Sequence, residues 1–177
     1  KLGGTLSFDV VVNLPAAEDG FDGGFDDGFG FGDSDDSNED AYWFTAPKME
    51  QVKAIHQYLD NDPQTGKVLS FGAVIELAEQ LNDDQSIDGL LWAVLYNRIP
   101  ETLKNTVLNP FISIADNQVR FNVRVIESAE NLNRNELLER IEAGIESDFG
   151  FADEDVQLTG ILVMYNNVLQ SLFQSQI

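Results

Sequence analysis

His56 is the only histidine in the 177-residue chain, and histidine is the side chain that most often serves as a general base near neutral pH. A serine or threonine nucleophile would need this base, and the sequence contains no Gly-x-Ser-x-Gly nucleophile elbow. His56 also borders the apolar stripe of a predicted helix, where a structural role is usual. We therefore expect no catalytic residue, and the chain is predicted not to be an enzyme.

Cysteine is absent, which excludes disulfides, thiolate chemistry and cysteine-ligated metals. Carboxylates remain as possible acid–base groups or ligands of hard cations. With 31 Asp and Glu residues, however, pairs of acids arise by chance and do not predict a glycosidase. The Gly-rich run is itself acidic, so it does not predict a phosphate site. No cofactor and no metal site are predicted.

The acids concentrate in residues 18–40, which hold ten acids and no base together with six Gly and four Phe. A stretch of this composition cannot bury enough apolar surface to offset its backbone entropy. An EF-hand alignment that starts at Asp33 fails, because Asn38 stands at the turn glycine and Phe44 at the bidentate glutamate. The sequence predicts an acidic Gly/Phe-rich loop over about 14–45, in which residues 18–40 form a mobile insertion. The alternative left open is a secreted, acidic, cation-dependent binding or interaction module.

The net charge of −21 also bears on partners. A strongly acidic protein repels phosphate backbones and anionic lipid surfaces. We therefore expect no nucleic-acid partner.

The rest of the chain must position any site, and its patterning predicts one α+β domain. In chain order, the predicted elements are a strand near 5–13, a helix that starts at Thr45–Pro47, a short strand over 67–71, a helical insert over about 72–108 with Ser86 as one cap, a hairpin of 111–115 and 118–126, a helix from Asn133 to Gly150, a strand over 155–159 and a helix over 161–177. Without the helical insert and one extra strand, this order reduces to the ferredoxin-like plan β-α-β-β-α-β.

The strand over 118–126 shows the clearest alternation of apolar and polar residues. We expect it to be central, in one sheet with the first and last strands. Its polar face carries Arg120 and Arg124, which are candidates for a contact with an acidic neighbouring domain.

The last helix has no charged residue, and neither has the rest of residues 156–177. Its apolar stripe comprises Ile161, Met164, Tyr165, Val168, Leu169, Leu172 and Phe173. An exposed surface helix usually carries charges. We therefore expect the stripe to pack on the domain's own sheet or to mediate contacts between copies, with Leu169, Leu172 and Phe173 as candidate contact residues.

Three stretches resemble an extracytoplasmic loop of resistance-nodulation-division (RND) exporters. They are the opening LGGTLSFDVVV of residues 2–12, GKVLS of residues 66–70, and the ending that runs from VQLTG at 156–160 to LFQSQ at 172–176. The similarity is greatest to the branch that includes the mycobacterial large membrane proteins and the hopanoid transporters. The acidic Gly/Phe insertion departs from the family pattern.

The resemblance implies a soluble, periplasmic, porter-type domain of a proton-driven exporter in the bacterial inner membrane. Such a domain helps to form the path for lipids or other hydrophobic compounds. Its partners are a sister periplasmic domain and the transmembrane helices of the same exporter. The resemblance is also compatible with an oligomeric exporter. Residues 161–177 then form a connector helix that leads to a transmembrane helix. No proton-coupling residue can be assigned, because no transmembrane segment is present in these 177 residues. A third hypothesis, that the chain is a hydrolase, lacks support because no general base is predicted beside a nucleophile.

Overall fold

The computed structural model describes residues 6–15, 43–129 and 132–175, except for the side chain of Phe173. Within these residues the chain is an α+β protein with five strands and six α-helices. The elements are β1 (Ser7–Asn13), α1 (Ala46–Asn61), β2 (Thr65–Leu69), α2 (Phe71–Leu81), α3 (Gly89–Arg98), α4 (Glu101–Leu103) followed by a π-helical turn (Lys104–Leu108), β3 (Ile112–Ser113), β4 (Gln118–Val125), α5 (Arg134–Phe149), a 3₁₀ turn (Asp153–Asp155), β5 (Val156–Thr159) and α6 (Ile161–Ser175).

The strands form one antiparallel sheet in the order β2-β4-β1-β5, with β3 paired to the start of β4. At the centre, Val10 of β1 lies between Phe121 of β4 and Leu158 of β5. The prediction that the strand over 118–126 is central is confirmed. The first and last strands also belong to this sheet, as predicted.

One face of the sheet is the core. Alternate residues of β1 and β4 are fully buried, among them Val10 and Phe121. Helix α1 contributes its predicted stripe of Met49, Val52, Ile55 and Leu59, and α5 adds Leu137, Ile141 and Ile145. The opposite face is polar, and Arg120 and Arg124 are exposed on it. We call this opposite surface the open sheet face.

Two predicted boundaries are wrong by a few residues because side-chain caps decide them. The strand expected over 67–71 stops earlier, because the Ser70 hydroxyl accepts a hydrogen bond from the Gly72 N–H at 3.0 Å and starts α2. Asp88, not Ser86, caps α3 through a 2.7 Å bond from the Leu91 N–H. The predicted caps of α5 are confirmed at Asn133 and at left-handed Gly150.

Asn117 joins the hairpin to both ends of the segment 16–42. It adopts the left-handed φ of 52° that the predicted turn requires. Its amide nitrogen donates to the Leu14 carbonyl at 2.7 Å, and its oxygen accepts from Trp43 Nε1 at 2.8 Å and Lys48 Nζ at 3.0 Å. One side chain therefore connects Leu14 and Trp43, which lie on either side of residues 16–42 in the sequence. The predicted acidic insertion over 18–40 lies outside the described residues.

Deletion of residues 18–40 should leave the melting temperature within about 4 °C of the full chain, the shift that corresponds to roughly 1 kcal/mol in a domain of this size. The reason is that Asn117 already brings Leu14 and Trp43 together, so a short connection can replace the segment. Calorimetry of both forms, with and without millimolar Ca²⁺, measures this. A much larger loss, or a Ca²⁺ stabilisation that disappears with the deletion, would favour the binding-module alternative.

Candidate functional site

Helix α6 leaves the sheet through a sharp turn at Gly160. This glycine has φ 108°, and a Cβ at this position would lie 3.2 Å from Phe8 Cα, so only glycine suits the turn. Two residues later, Leu162 is completely buried. The start of α6 is therefore fixed against the end of the sheet where β1 begins and β5 ends.

The polar side of α6 faces α5. Asn166 and Gln170 each donate to Asn135 Oδ1 at 2.9 Å. The Arg134 guanidinium lies 5.8 Å from the centre of the Tyr165 ring, within the range of a cation–π interaction. These contacts leave the apolar side of the helix on the outside.

Among the described side chains of α6, five apolar ones are exposed: Ile161 (65%), Met164 (63%), Tyr165 (48%), Val168 (51%) and Leu172 (55%). We call these five residues the α6 face. Of the two predicted alternatives for the stripe, packing on the domain's own sheet does not hold for these five residues, because Leu162 and Val163 rather than the stripe contact the core. Contact between copies stays a prediction. Of the other candidate residues, Leu169 is half-buried, and the Phe173 side chain lies outside the described residues.

A groove of about 780 Å³ runs along α6 from the end of β5. Its lining is mainly apolar and includes Leu158, Val163, Met164, Val168 and Leu172. Contiguous exposed apolar surface of this kind marks contacts with proteins, membranes or apolar ligands. The α6 face and its groove are thus one candidate interaction surface.

The open sheet face is a second candidate surface. Arg120 forms an ion pair with Asp9 at 2.7 Å, and Asn122 donates to the other Asp9 oxygen at 2.8 Å. Arg124 is exposed on the same face, four residues along β4. The structure therefore brings the two predicted arginines to one surface, and it gives Arg120 an internal partner that sequence spacing could not show, since Asp9 is 111 residues away.

His56 is part of a buried cluster that links α1 to α2. Its Nδ1 lies 2.9 Å from the Ser70 hydroxyl, and its Nε2 lies 3.8 Å from a Glu76 carboxylate oxygen. Serine, histidine and carboxylate side chains can form a nucleophilic triad. The sequence analysis did not identify Ser70 as a partner of His56. Here, however, Ser70 and His56 are only 3% and 6% exposed, so a substrate cannot reach the hydroxyl. The cluster packs the two helices, and a Cβ on Gly72 would collide with His56.

The His56 cluster should make stability pH-dependent. Burial lowers the pKa of His56, and the nearby carboxylates of Glu76 and Asp60 offset this only in part. Because the folded-state pKa lies below the unfolded value of about 6.5, the stabilisation is complete above that pH. It is lost as the pH falls towards the folded-state pKa, since the unfolded chain binds the proton first.

We expect urea unfolding to show a free energy that falls between pH 7 and 5.5, with a slope from this group of at most about 1.4 kcal/mol per pH unit. The His56→Asn variant keeps a polar group near Ser70 but does not titrate. It should be less stable at pH 7 and should show a flatter pH profile. Equal slopes for the two proteins would show that His56 is not the titrating group.

An acidic cluster lies where α5 ends. Glu142, Glu146 and Asp153 can place carboxylate oxygens within 4.8 Å of one another. Burial, followed by repulsion from Glu146 and Asp153, raises the pKa of Glu142. Such oxygens could bind a hard cation, but exposed acidic groups of this kind commonly occur without one. Sequence analysis did not single them out, although the i, i+4 spacing of the two glutamates placed them on one helical face.

Comparisons of the chain with protein families, with curated proteins and with solved structures found no match. Among the residues that the structure describes, no helix has both the length and the apolar character needed to cross a bilayer. The α6 face, the open sheet face and the sequence resemblance are thus the features of the chain that bear on its function.

Proposed function

We propose that this chain is a periplasmic, porter-type domain of a proton-driven RND-type exporter in the bacterial inner membrane. In this role it helps to form the path for lipids or other hydrophobic compounds. The α6 face carries the proposal: an uncharged helix presents five apolar side chains outward on a protein with a net charge of −21. A permanent apolar neighbour accounts for such a surface, because its exposure to water is otherwise unfavourable.

The strand order supports a ferredoxin-like core for this domain. If β3 and residues 71–108 are set aside, two β-α-β units remain, β1-α1-β2 and β4-α5-β5. They interleave, since β4 lies between β1 and β2 while β1 lies between β4 and β5. This order supports the split β-α-β arrangement that we propose for the domain.

In the proposal, α6 is the connector between this core and a transmembrane helix. Its anchored start at Leu162 transmits movements to the sheet, and its outward face contacts a sister domain or the transmembrane helices. The groove of about 780 Å³ beside α6 offers apolar compounds a surface along the same path. No chemistry is performed, and the protein's residues supply shape and apolar contact.

Two measurements together test the proposal: whether the protein is bound to the membrane, and whether this domain is accessible from the periplasmic side. The 177 residues contain no cysteine, so a single Ser86→Cys substitution at an exposed loop position reports on accessibility once any other cysteines of the complete protein are replaced. We expect the protein, expressed in its own host, to remain with membranes after an alkaline wash. A membrane-impermeant maleimide should label the Ser86→Cys thiol in intact spheroplasts.

The matched control is Val123→Cys, a fully buried position that should be labelled only after denaturation. Recovery of the protein in the wash, or labelling of the Ser86→Cys thiol only after lysis, would refute the periplasmic exporter assignment.

A further inference from the structure

The open sheet face carries a small pocket with a basic rim. The pocket has a volume of about 200 Å³ and lies between the strands of this face and the chain that leads into β3. Its lining includes the apolar surface of Val11, Pro110 and Phe111, and Arg120 is the one basic residue in it. Val11 and Arg120 lie opposite each other in the register of β1 and β4. We call this cavity the Arg120 pocket.

The Arg120 pocket has the size and the chemistry to hold an aromatic ring beside a carboxylate. An apolar cavity of ~150 Å³ is large enough to bind benzene. The Arg120 side chain is 50% exposed, and its ion pair with Asp9 uses Nη2. Because a guanidinium has five N–H donors, Arg120 can bind a second carboxylate at the mouth of the pocket.

The charge around the pocket is opposite to that of the protein as a whole. The chain carries 10 basic and 31 acidic residues. On the strand positions that point to the open sheet face, however, Lys67, Arg120 and Arg124 are basic, and Asp9 is the one acid. Within the described ranges, neither Lys67 nor Arg124 forms an ion pair. This face therefore attracts an acidic segment.

We propose that the Arg120 pocket binds the Gly-Phe-Asp repeats of the chain's own acidic segment. The repeats are GFD at 20–22, GFDD at 24–27 and GFGFGD at 28–33. A phenylalanine of one repeat occupies the pocket, and a neighbouring aspartate pairs with Arg120. The inference is independent of the exporter role, and it places an acidic partner for the open sheet face within the same chain.

The composition of the segment fits this role. Acidic stretches that remain solvated contain few aromatic residues, whereas residues 18–40 hold four Phe together with ten acids. Exposure of four phenyl rings to water would be unfavourable. Each of these rings has a carboxylate within two residues in the sequence. This combination matches the apolar wall and the basic rim of the Arg120 pocket.

Both ends of the segment are tied beside the pocket. Asn117 bonds to Leu14 and to Trp43, which flank residues 16–42, and the next residue, Gln118, lines the pocket. The first phenylalanine of the repeats is seven residues from Leu14, a stretch that spans up to roughly 23 Å. The tether holds the repeats at an effective concentration on the order of 1 mM, so a weak contact is sufficient.

Two other pockets fit the repeats less well. The groove along α6 is larger, but none of the residues that line it is basic. A pocket beside Leu14 and Pro15 is lined by Phe149 and Phe151, and its one charged residue is the acid Asp155. In either place, the carboxylate next to the phenyl ring would lose water without gaining a cation.

Thiol labelling tests the inference, since the 177 residues contain no cysteine. A single cysteine is placed in the pocket, either as Val11→Cys or, from β3, as Ser113→Cys. The control is Thr159→Cys, which lies on the open sheet face and lines the α6 groove but not the Arg120 pocket. Each labelling rate is measured in the full chain and in a variant with serine at all four phenylalanines of residues 20–33. This replacement leaves the charge unchanged.

We expect the variant without these phenylalanines to be labelled roughly two- to fivefold faster at both pocket positions, and at an unchanged rate at Thr159→Cys. Fivefold protection corresponds to about 1 kcal/mol, which agrees with the small effect expected for deletion of residues 18–40. Equal rates at the pocket positions, or an equal increase at Thr159→Cys, would overturn the inference. A difference that disappears on dilution would also overturn it, because it would show docking between copies.

A matched pair of variants tests the carboxylates. Each variant removes three charges from the segment, one inside the repeats and one outside them. The first is Asp22→Asn/Asp26→Asn/Asp27→Asn, and the second is Asp35→Asn/Asp36→Asn/Asp40→Asn. The first should be labelled about twofold faster than the second at the pocket thiol, because only its acids accompany a phenylalanine. Equal rates would show that the repeats place no carboxylate at Arg120, and the inference would be wrong.

Discussion

Leu162→Ala is expected to lower the free energy of unfolding of the chain by about 2–5 kcal/mol, the cost of truncating a leucine in a packed core. Leu162 has no exposed surface and packs at the base of α6. The matched variant Leu172→Ala, on the same helix but 55% exposed, should change the free energy by less than about 0.5 kcal/mol. Urea denaturation followed by far-ultraviolet circular dichroism measures both.

The contrast between the two leucines tests the orientation of α6. Hydrophobic patterning alone favours Leu172, a member of the stripe, as the buried residue. If Leu172→Ala costs as much as Leu162→Ala, the apolar stripe is packed inside the protein and the α6 face is not available to a partner.

The orientation of α6 could not be predicted from the sequence. Periodicity identifies which residues share a face of a helix, but it does not say what that face contacts. The decisive contacts are the bonds from Asn166 and Gln170 to Asn135, more than 30 residues away. Polar contacts at such separations leave no local pattern.

Elements with a local physical cause were predictable. The alternation along β4 identified a half-buried strand, and the cap at Asn133 and the glycine at Gly150 marked the two ends of α5. The central position of β4 also followed, because the longest and most clearly alternating strand has most to gain from neighbours on both sides.

Elements of the candidate surfaces that depend on tertiary contacts were not predictable. Sequence analysis placed Arg120 and Arg124 on one face, but it could not show that Asp9 neutralises Arg120. Nor could it show the irregularity in the pairing of β2 with β4, where the register shifts between Thr65 and Val68. Likewise, His56 and Ser70 meet only because α1 packs against the start of α2.

The second large effect is expected on transport. The variant Met164→Gln/Val168→Gln/Leu172→Gln makes the α6 face polar. Because all three residues are exposed, each substitution should change stability by no more than about 0.5 kcal/mol. In the complete exporter the same variant should lower export by roughly tenfold or more, since a few central apolar residues usually dominate a contact surface.

The control variant exchanges two exposed polar residues of α6 that do not line the groove, with Gln174→Asn and Ser175→Thr. It leaves every polar position of the helix polar and every apolar position apolar. It should therefore export at the wild-type rate, and both variants should be present in the membrane in wild-type amounts.

The most direct test of the exporter role of the α6 face is the retention of a panel of hydrophobic fluorescent dyes. Retention is compared in cells that express the wild-type protein, the polar α6 variant or no protein. We expect that the wild-type protein lowers retention, that a protonophore abolishes this effect, and that the polar variant resembles cells without the protein. If the polar variant lowers retention as much as the wild-type protein does, or if the wild-type protein has no effect on any dye, the proposed exporter role of the α6 face is wrong.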